Sequence, residues 1–322
     1  MQKRRWLNFM AVGLIAVTLV GCGSSGASQS NNTSSNQTGS SSNQAGSSIK
    51  ELTIAAQDYN EPAIVDYMLK EIIEKNTSIK VTVTRTSGMS SLMHNSLVKG
   101  DIQIYSGYAG TQFQKIFKQA YSDQYKANPE SVLDYVRAEE LKQHGVWVSP
   151  KLGFYDNYAI AVSSETAQKY NLKTVSDIIP YVKDWSVGMD QDFANIPESG
   201  MPGLKQTYGL KWKKEVSMDY NLIYQALANN NVQAIVAYST DGRLKKFNQV
   251  TIEDDKHFLP PEYGIVMIKD SVRKEANLDK VLEKLWGSIS NEDIIQMNYL
   301  ADVEKQDLEK IAHDWLVKKG LI

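Results

Sequence analysis

The sequence predicts an α/β protein whose folded body forms two lobes, and three observations lead to that expectation. From residue 49 onward, short apolar runs alternate with helical patterns, which is typical of β-α-β units. The stretch 49–322 is long enough for two lobes with separate cores. The order of the elements places one crossing of the chain near Tyr158 and a return near Tyr263. Two crossings predict hinged lobes with a cleft between them, where ligand sites are common.

The first segment of the chain is predicted to direct export. Residues 3–5 are basic, residues 9–20 form an apolar run too short to span a bilayer comfortably, and a glycine directly precedes Cys22. This pattern resembles the lipobox of bacterial lipoproteins, in which the cysteine is diacylated and becomes the first mature residue. We therefore expect residues 1–21 to be a signal peptide and Cys22 to be the lipid attachment point. A plain secretory signal or an uncleaved membrane anchor is the alternative.

A tether follows the lipid attachment point. Residues 22–48 are nearly all Ser, Asn, Gln, Gly and Thr and carry no charge. Such a segment buries too little apolar surface to offset the entropy lost on ordering, so we expect it to be flexible. Cys22 is the only cysteine, which excludes an intramolecular disulfide. The protein is thus predicted to work at the outer face of the cell membrane.

The folded body is predicted to contain alternating strands and helices, without internal repeats. Strands are expected where short runs are apolar: 52–56, 79–84, the first half of 102–111, 146–148, 158–162, 232–238 and 263–268. Helices are expected where apolar residues recur every three to four positions, or where a capping pair opens a turn: 62–74, 90–99, 129–144, a short stretch from Ser176, 220–228, 278–289 and 291–319. We expect 49–157 and 262–322 to form lobe 1, and 158–261 to form lobe 2.

The segment 102–111 is the strongest candidate for a binding loop. Its first half alternates apolar and polar residues as a strand does, and its second half contains two glycines. Ligands of open α/β sheets bind beyond the carboxyl ends of the strands, so Tyr105, Tyr108 and Thr111 are predicted to face the cleft. A strand end whose tyrosines pack against the sheet is the alternative.

Composition and motifs argue against several classes of function. Removal of the three basic leader residues takes the formal net charge from −2 to −5, and no Lys/Arg stripe is present, so nucleic acid is not an expected partner. The four histidines show no metal-binding spacing, and no metal or cofactor is expected. A nucleophile elbow, a phosphate loop and a His-Glu-x-x-His helix are all missing from the sequence. We expect no enzyme; a surface lipoprotein hydrolase or a structural, adhesive lipoprotein is the alternative.

Five motifs occur in a defined order along the folded body. They are Gln-Asp-Tyr-Asn-Glu at 57–61, Ile-Tyr-Ser-Gly-Tyr-Ala-Gly-Thr at 104–111, Phe-Tyr-Asp-Asn-Tyr-Ala at 154–159, Ala-Tyr-Ser-Thr-Asp-Gly at 237–242 and Asp-Asp-Lys-His-Phe-Leu-Pro-Pro-Glu-Tyr at 254–263. Together they resemble the signature of the osmoprotectant-binding lipoproteins of ABC transporters, the glycine betaine, carnitine and choline receptors of the Opu and ProX type. The resemblance implies a type II periplasmic-binding-protein fold and a monomer that delivers its ligand to permease subunits.

The resemblance also implies an aromatic cage around a quaternary ammonium group. A trimethylammonium head has no N–H to donate, so recognition depends on aromatic faces, each contributing roughly 0.5–2 kcal/mol when water is excluded. The implied ligand-binding residues, carried over from the matching motifs, are four cage tyrosines, two polar residues for the rest of the ligand and one acidic neighbour: Tyr108, Tyr158, Tyr238, Tyr263, Gln57, Thr111 and Asp156. Tyr155 is left open as a cage member.

The sequence departs from the family pattern in two places. The segment 193–200, where relatives that hold a betaine carboxylate commonly carry an arginine, contains none. Arginine binds carboxylates in a bidentate manner, so its absence favours choline, or a ligand whose acid end is held by Gln57, Thr111 and main-chain amides. Glu262 is inserted between the double proline and Tyr263, where it would suit a cation. A receptor of the same fold for another betaine, such as ergothioneine, is the alternative.

Overall fold

The structure is a computed structural model, and it describes residues 48–57, 59–85, 90–195 and 199–322. The predicted signal peptide, the lipid site Cys22 and all of the tether except its last residue lie outside the described residues. In the described part, ten strands form two five-stranded sheets flanked by helices. The predicted α/β fold with two sheets is confirmed.

The two sheets follow the same plan. Their strands are β1 (Glu51–Ala56), β2 (Lys80–Arg85), β3 (Ile104–Tyr108), β4 (Val146–Val148), β5 (Tyr158–Ser163), β6 (Ser186–Met189), β7 (Lys214–Ser217), β8 (Ala234–Tyr238), β9 (Gln249–Ile252) and β10 (Gly264–Lys269). The strand order is β2-β1-β3-β10-β4 in the first sheet and β7-β6-β8-β5-β9 in the second. In each sheet three strands run parallel to one another. A fourth strand, β10 in the first sheet and β5 in the second, is antiparallel and lies between these three and the fifth strand. We call each sheet with its helices a lobe.

Helices of very different length connect these strands. Those in the first lobe are α1 (Asn60–Asn76), α2 (Ser90–Lys99), α3 (Ala109–Thr111), α4 (Asp123–Ala127) and α5 (Glu130–His144). Those in the second lobe are α6 (Ser164–Tyr170), α7 (Gln191–Asn195), α8 (Met201–Tyr208), α9 (Tyr220–Ala228) and α10 (Gly242–Lys246). The chain ends with α11 (Asp270–Glu275), α12 (Leu278–Val281), α13 (Asn291–Asn298) and α14 (Leu308–Lys319). None of the helices in these ranges is long and apolar enough to span a bilayer.

Each sheet has a hydrophobic cluster on both faces, as alternating side chains require. In the first sheet, Ile104 belongs to the cluster packed by α1 and α14, whereas Tyr105 belongs to the opposite cluster with α5. Tyr105 is therefore fully buried in the core, and the expectation that it faces the cleft was wrong. Ile54 and Ala55 divide in the same way between the two faces.

The C-terminal region differs most from its prediction. The expected helix 278–289 ends early, and the chain turns at Gly287 with a left-handed φ of 72°. The expected helix 291–319 is divided, because α13 passes into a π-helical turn, Tyr299–Val303, and Lys305 adopts a left-handed φ of 57°. Asp307 then caps a new helix. The short strands β6, β7 and β9 were not predicted.

Two connecting segments cross between the lobes and pair with each other. Tyr155 and Tyr263 form an antiparallel bridge, and the Asp156 N–H donates to the Glu262 carbonyl at 2.9 Å. The Asn157 side chain accepts from the Glu262 N–H at 2.7 Å. Gly264 is required beside this hinge, because a Cβ there would lie 2.7 Å from the Phe154 ring. The predicted pair of crossings is thus a short two-stranded connection.

Candidate functional site

A cavity of about 1300 Å³ lies between the two lobes. Its lining residues follow the carboxyl ends of parallel strands in both sheets: Tyr59 after β1, Tyr108 at the end of β3, Gln191 after β6, Tyr220 after β7 and Tyr238 at the end of β8. Ligands of open α/β sheets bind at this edge. The fold thus brings residues distant in sequence to one cleft.

The first lobe contributes two parallel tyrosine rings to the cleft. Tyr59 and Tyr108 have ring centroids 6.3 Å apart and an interplanar angle of 15°. The Tyr108 ring is buried, and its hydroxyl donates to Glu61 Oε1 at 2.7 Å. Tyr59 retains 44% exposure, so its ring is open to the cavity. We call Tyr59, Glu61, Tyr108 and Glu262 the acidic wall.

The second lobe contributes three tyrosines that pack on one another. Tyr158 and Tyr238 are direct partners in the β5–β8 pairing, with ring centroids 4.7 Å apart and hydroxyl oxygens 2.9 Å apart. The Tyr220 ring meets Tyr238 edge-on at 5.2 Å, and its hydroxyl donates to Asp241. We call Tyr158, Tyr220 and Tyr238 the aromatic wall.

Buried and half-buried carboxyl groups lie beside the tyrosines of the first lobe. Glu61 is 4% exposed, and its Oε2 accepts from Asn298 Nδ2 at 2.5 Å. Burial raises the pKa of Glu61, and burial together with the negative charge of Glu61 raises the pKa of Asp156 well above its ordinary value. Thr240 donates to Asp156 at 2.6 Å. Burial is the main cause of both shifts, and negatively charged neighbours add to them.

Glu262 occupies donors that a ligand carboxylate would otherwise use. Its side chain accepts the Thr111 N–H at 2.8 Å and the Thr111 hydroxyl at 3.0 Å. A Cβ on Gly110 would lie 2.9 Å from the Glu262 carboxyl carbon, so only glycine permits this approach. Burial raises the pKa of Glu262 to about 7. The Thr111 donors are therefore saturated by the protein's own carboxyl group.

The arginine that lines the cleft is also engaged within the protein. Arg243 donates from Nε and Nη2 to Asp241, at 2.9 and 2.5 Å, and from Nη1 to Asn221 at 3.0 Å. Its guanidinium lies 4.2 Å from the centroid of the Tyr220 ring. Arg243 thus stabilises the aromatic wall through Asp241 and Tyr220, and all three of its nitrogens already have acceptors.

Most of the sequence-predicted ligand residues meet at this cleft. The cavity is lined by six of them: Gln57, Tyr108, Thr111, Asp156, Tyr158 and Tyr238. Gln57 is buried and held by Ser90 and the Ser106 carbonyl, each at 3.3 Å. Their roles in ligand binding remain proposals, whereas their convergence is a structural observation.

Tyr263 is the exception, and the structure corrects its predicted position. Its hydroxyl donates to Glu130 at 3.0 Å, and Lys151 Nζ lies 3.9 Å from its ring centroid, outside the residues that line the cleft. The inserted Glu262 explains the difference. Successive side chains of an extended segment point to opposite sides, so Glu262 takes the inward position and Tyr263 faces away. Tyr155 is 45% exposed and likewise does not line this cavity.

Sequence reasoning missed several residues that line the cleft. Tyr59 and Glu61 belong to the first motif but were not assigned a role, and Tyr220 was assigned only to a helix. A positional signal was available for Tyr59, which follows the end of the predicted strand β1, but not for Tyr220, which follows β7, a strand that was not predicted. The strand-end rule therefore points to Tyr59 from the sequence and to Tyr220 only once the fold is known.

Comparison with known proteins places the chain in a family of transport proteins. Residues 50–318 match the family described as the substrate binding domain of ABC-type glycine betaine transport system. The carnitine transport binding protein OpuCC of Listeria monocytogenes is 32% identical over 279 residues, which cover 85% of this chain and 89% of that protein. The ergothioneine transport permease/ergothioneine binding protein EgtU of Helicobacter pylori is 29% identical over 84% of this chain and 48% of that protein.

A solved structure shares the whole fold. The crystal structure of a glycine betaine/carnitine/choline ABC transporter protein superposes with a TM-score of 0.78 and 31% identity, over 83% of this chain and 98% of that one. The structure of lactococcal OpuAC, closed around glycine betaine, superposes with a TM-score of 0.52 at 12% identity, which shows the fold alone. These likenesses confirm the predicted type II binding-protein fold.

Proposed function

Because the chain belongs to the family of substrate-binding domains of ABC-type glycine betaine transport systems, we propose that its cleft encloses a quaternary ammonium cation between the acidic and aromatic walls. The protein is the extracytoplasmic substrate-binding component of an ABC importer and not an enzyme. It captures a small ligand and works with the permease subunits of that importer. The geometry of the cleft indicates which kind of ligand it binds.

The observation that carries the proposal is the convergence of five tyrosines with buried carboxyl groups. The rings of Tyr59 and Tyr108 on one wall, and of Tyr158, Tyr220 and Tyr238 on the other, line one cavity. Each aromatic face attracts a desolvated cation by roughly 0.5–2 kcal/mol, so several faces together support a micromolar receptor, which needs about −8 kcal/mol. Ordering and desolvation costs are subtracted from that sum.

The charges in the cleft favour a ligand with positive charge and no carboxylate. Five carboxyl residues line the cavity against three basic residues, and Arg243 is already paired with one of the five. Thr111, the polar residue predicted to hold the far end of the ligand, donates both its N–H and its hydroxyl to Glu262. A betaine carboxylate would have to displace Glu262 from these donors and would be repelled by it. We therefore place choline above glycine betaine and carnitine.

Binding is proposed to draw the lobes together. The cavity, about 1300 Å³, exceeds the usual range of roughly 300–1,000 Å³ for small-ligand sites. The paired segments around Tyr155 and Tyr263 provide a hinge, with lobe 1 at 49–157 and 262–322 and lobe 2 at 158–261. A ligand that contacts both walls stabilises the closed form through its higher affinity for that form.

The attachment of the protein to the membrane belongs to the same proposal. Lipidation of Cys22, with 22–48 as a tether, would hold a monomeric receptor beside its permease. The signal-like sequence of residues 1–21 supports this arrangement. Metabolic labelling with a fatty-acid analogue tests it: the wild-type chain is expected to become labelled, and Cys22→Ser to remain unlabelled.

Calorimetric titration with choline, carnitine, glycine betaine and ergothioneine tests the ligand assignment. We expect choline to bind most tightly, and every ligand to be recovered unchanged. Binding of none of these compounds would contradict the cage, whereas product formation would support the hydrolase alternative. A preference for ergothioneine, for which the relative EgtU is named, would keep the fold and the receptor function but overturn the choline assignment.

A further inference from the structure

Two histidines and one glutamate meet in the first lobe, outside the residues that line the cleft. Glu140 and His144 lie one turn apart on α5, and His94 projects from α2. His94 Nε2 is 3.0 Å and His144 Nδ1 is 3.1 Å from the same oxygen, Glu140 Oε2. The three donor atoms all lie within 4.8 Å of one another. Two of the four histidines, which lie far apart in the sequence, thus share one carboxylate.

Few groups in the described part of the chain neutralise the charge of Glu140. Its side chain is fully buried, and its ion-pair partners in the described part of the chain are the two imidazoles, with no lysine or arginine. Glu140 Oε1 is also buried and has no hydrogen-bond partner there. Burial of a carboxylate is costly without a counter-charge and without hydrogen bonds to both oxygens. A bound dication would supply the counter-charge and a ligand for the free lone pairs.

The donor set and the access route both fit a metal ion. Imidazole nitrogen and carboxylate oxygen are ligands of Zn²⁺ and neighbouring transition metals, at about 2.0–2.2 Å. Tetrahedral ligands about 2.1 Å from one ion lie about 3.4 Å apart. Glu140 Oε2 is already this close to each histidine nitrogen, at 3.0 and 3.1 Å, whereas the two nitrogens, within 4.8 Å of each other, would approach by up to about 1.4 Å. A cavity of about 460 Å³ is lined by His94 and His144, which gives solvent a path to the site and room for a water ligand.

We propose that His94, Glu140 and His144 bind one divalent transition metal ion of the Zn²⁺ class and so join α2 to α5. The sequence contains a signal for it, because Glu140 and His144 are four residues apart and share one helix face. His94, 46 positions away from Glu140, completes the set only through the fold. The site does not depend on which ligand occupies the cleft. Bound metal stabilises the first lobe, since an ion that binds only the folded state raises its stability.

The test is titration of the full-length chain, first stripped of metal with a chelator, with ZnCl₂ in a calorimeter and in thermal melts. We expect one Zn²⁺ per chain, and a rise of at least about 3 °C in melting temperature when Zn²⁺ reaches about 100 times its Kd. In His144→Ala the affinity should fall at least about tenfold, because one of three protein ligands is lost. The His144 side chain is 25% exposed, so this variant is expected to fold.

His313→Ala is the matched control. His313 also contacts a glutamate, Glu71, at 2.8 Å, but on the surface, so this variant should bind Zn²⁺ like the wild type. Cys22 is present in all three chains and does not affect the comparison. Equal Zn²⁺ binding by His144→Ala and the wild type, or no binding by the wild type, would overturn the proposal. A melting temperature that rises on acidification without responding to Zn²⁺ would instead assign the cluster to a protonated histidine.

Discussion

The two walls of the cleft hold their tyrosines by different means. On the acidic wall, Tyr108 is fixed by a hydrogen bond to buried Glu61, and the neighbouring Glu262 is held by Thr111. On the aromatic wall, Tyr158, Tyr220 and Tyr238 pack on one another. Tyr158 and Tyr238 share a hydroxyl hydrogen bond, and Tyr220 donates to Asp241, whose charge is paired with Arg243. One wall supplies negative charge, and the other supplies adjoining aromatic faces.

This difference indicates what each wall gains from a ligand. The aromatic wall is already packed and requires only that water be displaced from its faces. The acidic wall carries carboxyl groups whose pKa values are raised by burial, so a cation relieves an unfavourable environment there. Under the proposed assignment, a quaternary ammonium ligand without a carboxylate suits both walls, whereas the carboxylate of a zwitterion would meet the carboxyl groups of the acidic wall.

The largest effect is expected from Tyr238→Ala, which breaks the aromatic wall at its centre. Tyr238 contacts both Tyr158 and Tyr220, so its loss removes one face and loosens two more. We expect choline affinity to fall about 10- to 100-fold while the protein stays folded. Calorimetry and circular dichroism measure the two properties. Tyr263→Ala is the control and should bind as the wild type; the reverse result would restore the sequence-based position of Tyr263.

The next largest effect concerns the charge of the acidic wall. In Glu262→Ala, Thr111 regains free donors and the wall loses a negative charge. We expect choline affinity to fall about tenfold and glycine betaine affinity to rise by a similar factor. Competition titrations measure the ratio. Glu283→Ala removes an exposed glutamate and should leave it unchanged. An unaltered ratio in Glu262→Ala would remove Glu262 from ligand discrimination.

A smaller effect is expected from pH, because the pKa of Glu262 is raised to about 7. A cation binds better once this carboxyl group is ionised, so choline affinity should rise by up to about tenfold between roughly pH 6 and 8. Glu262→Gln should abolish most of that rise. Folding stability responds in the opposite direction. Between pH 4.5 and about 7 the folded state keeps this proton while the unfolded chain loses it. The contribution of Glu262 to folding stability therefore declines as the pH rises through this range.

The smallest effect on binding is expected from removing single tyrosine hydroxyl groups. These variants distinguish the two walls by how much each lowers the free energy of unfolding. Tyr108→Phe leaves Glu61 without one of its donors in a buried position and should lower the free energy of unfolding by about 1–2 kcal/mol. Tyr238→Phe removes only the link between two tyrosine hydroxyls and should cost about 0.5 kcal/mol. Urea denaturation measures both. Equal costs would show that the walls are not held differently.

Much of the molecule follows from local patterns in the sequence. Apolar runs predicted all five strands of the first sheet and two of the five in the second, because burial of apolar faces imposes periods that a single segment reveals. The chain order predicted the two crossings. Tyr108, Tyr158 and Tyr238 were identified from ordered motifs, and all three line the cleft. The choice of these tyrosines depended on the family pattern, since composition alone does not separate them from packing tyrosines.

Other features were decided only by the tertiary structure. Tyr59 and Tyr220 join the cage because β1 and β7 end at one cleft, and His94 meets Glu140 because α2 packs near α5. Glu262, and not Tyr263, faces the cleft because of how the hinge segments pair. The sequence by itself determined the strands with clear apolar runs and the rings that belong to the motifs, whereas the face of Tyr105 and the strands β6, β7 and β9 were decided by the fold. Contacts between distant segments required the assembled fold, because local periodicity specifies the face of a residue but not its partner across the chain.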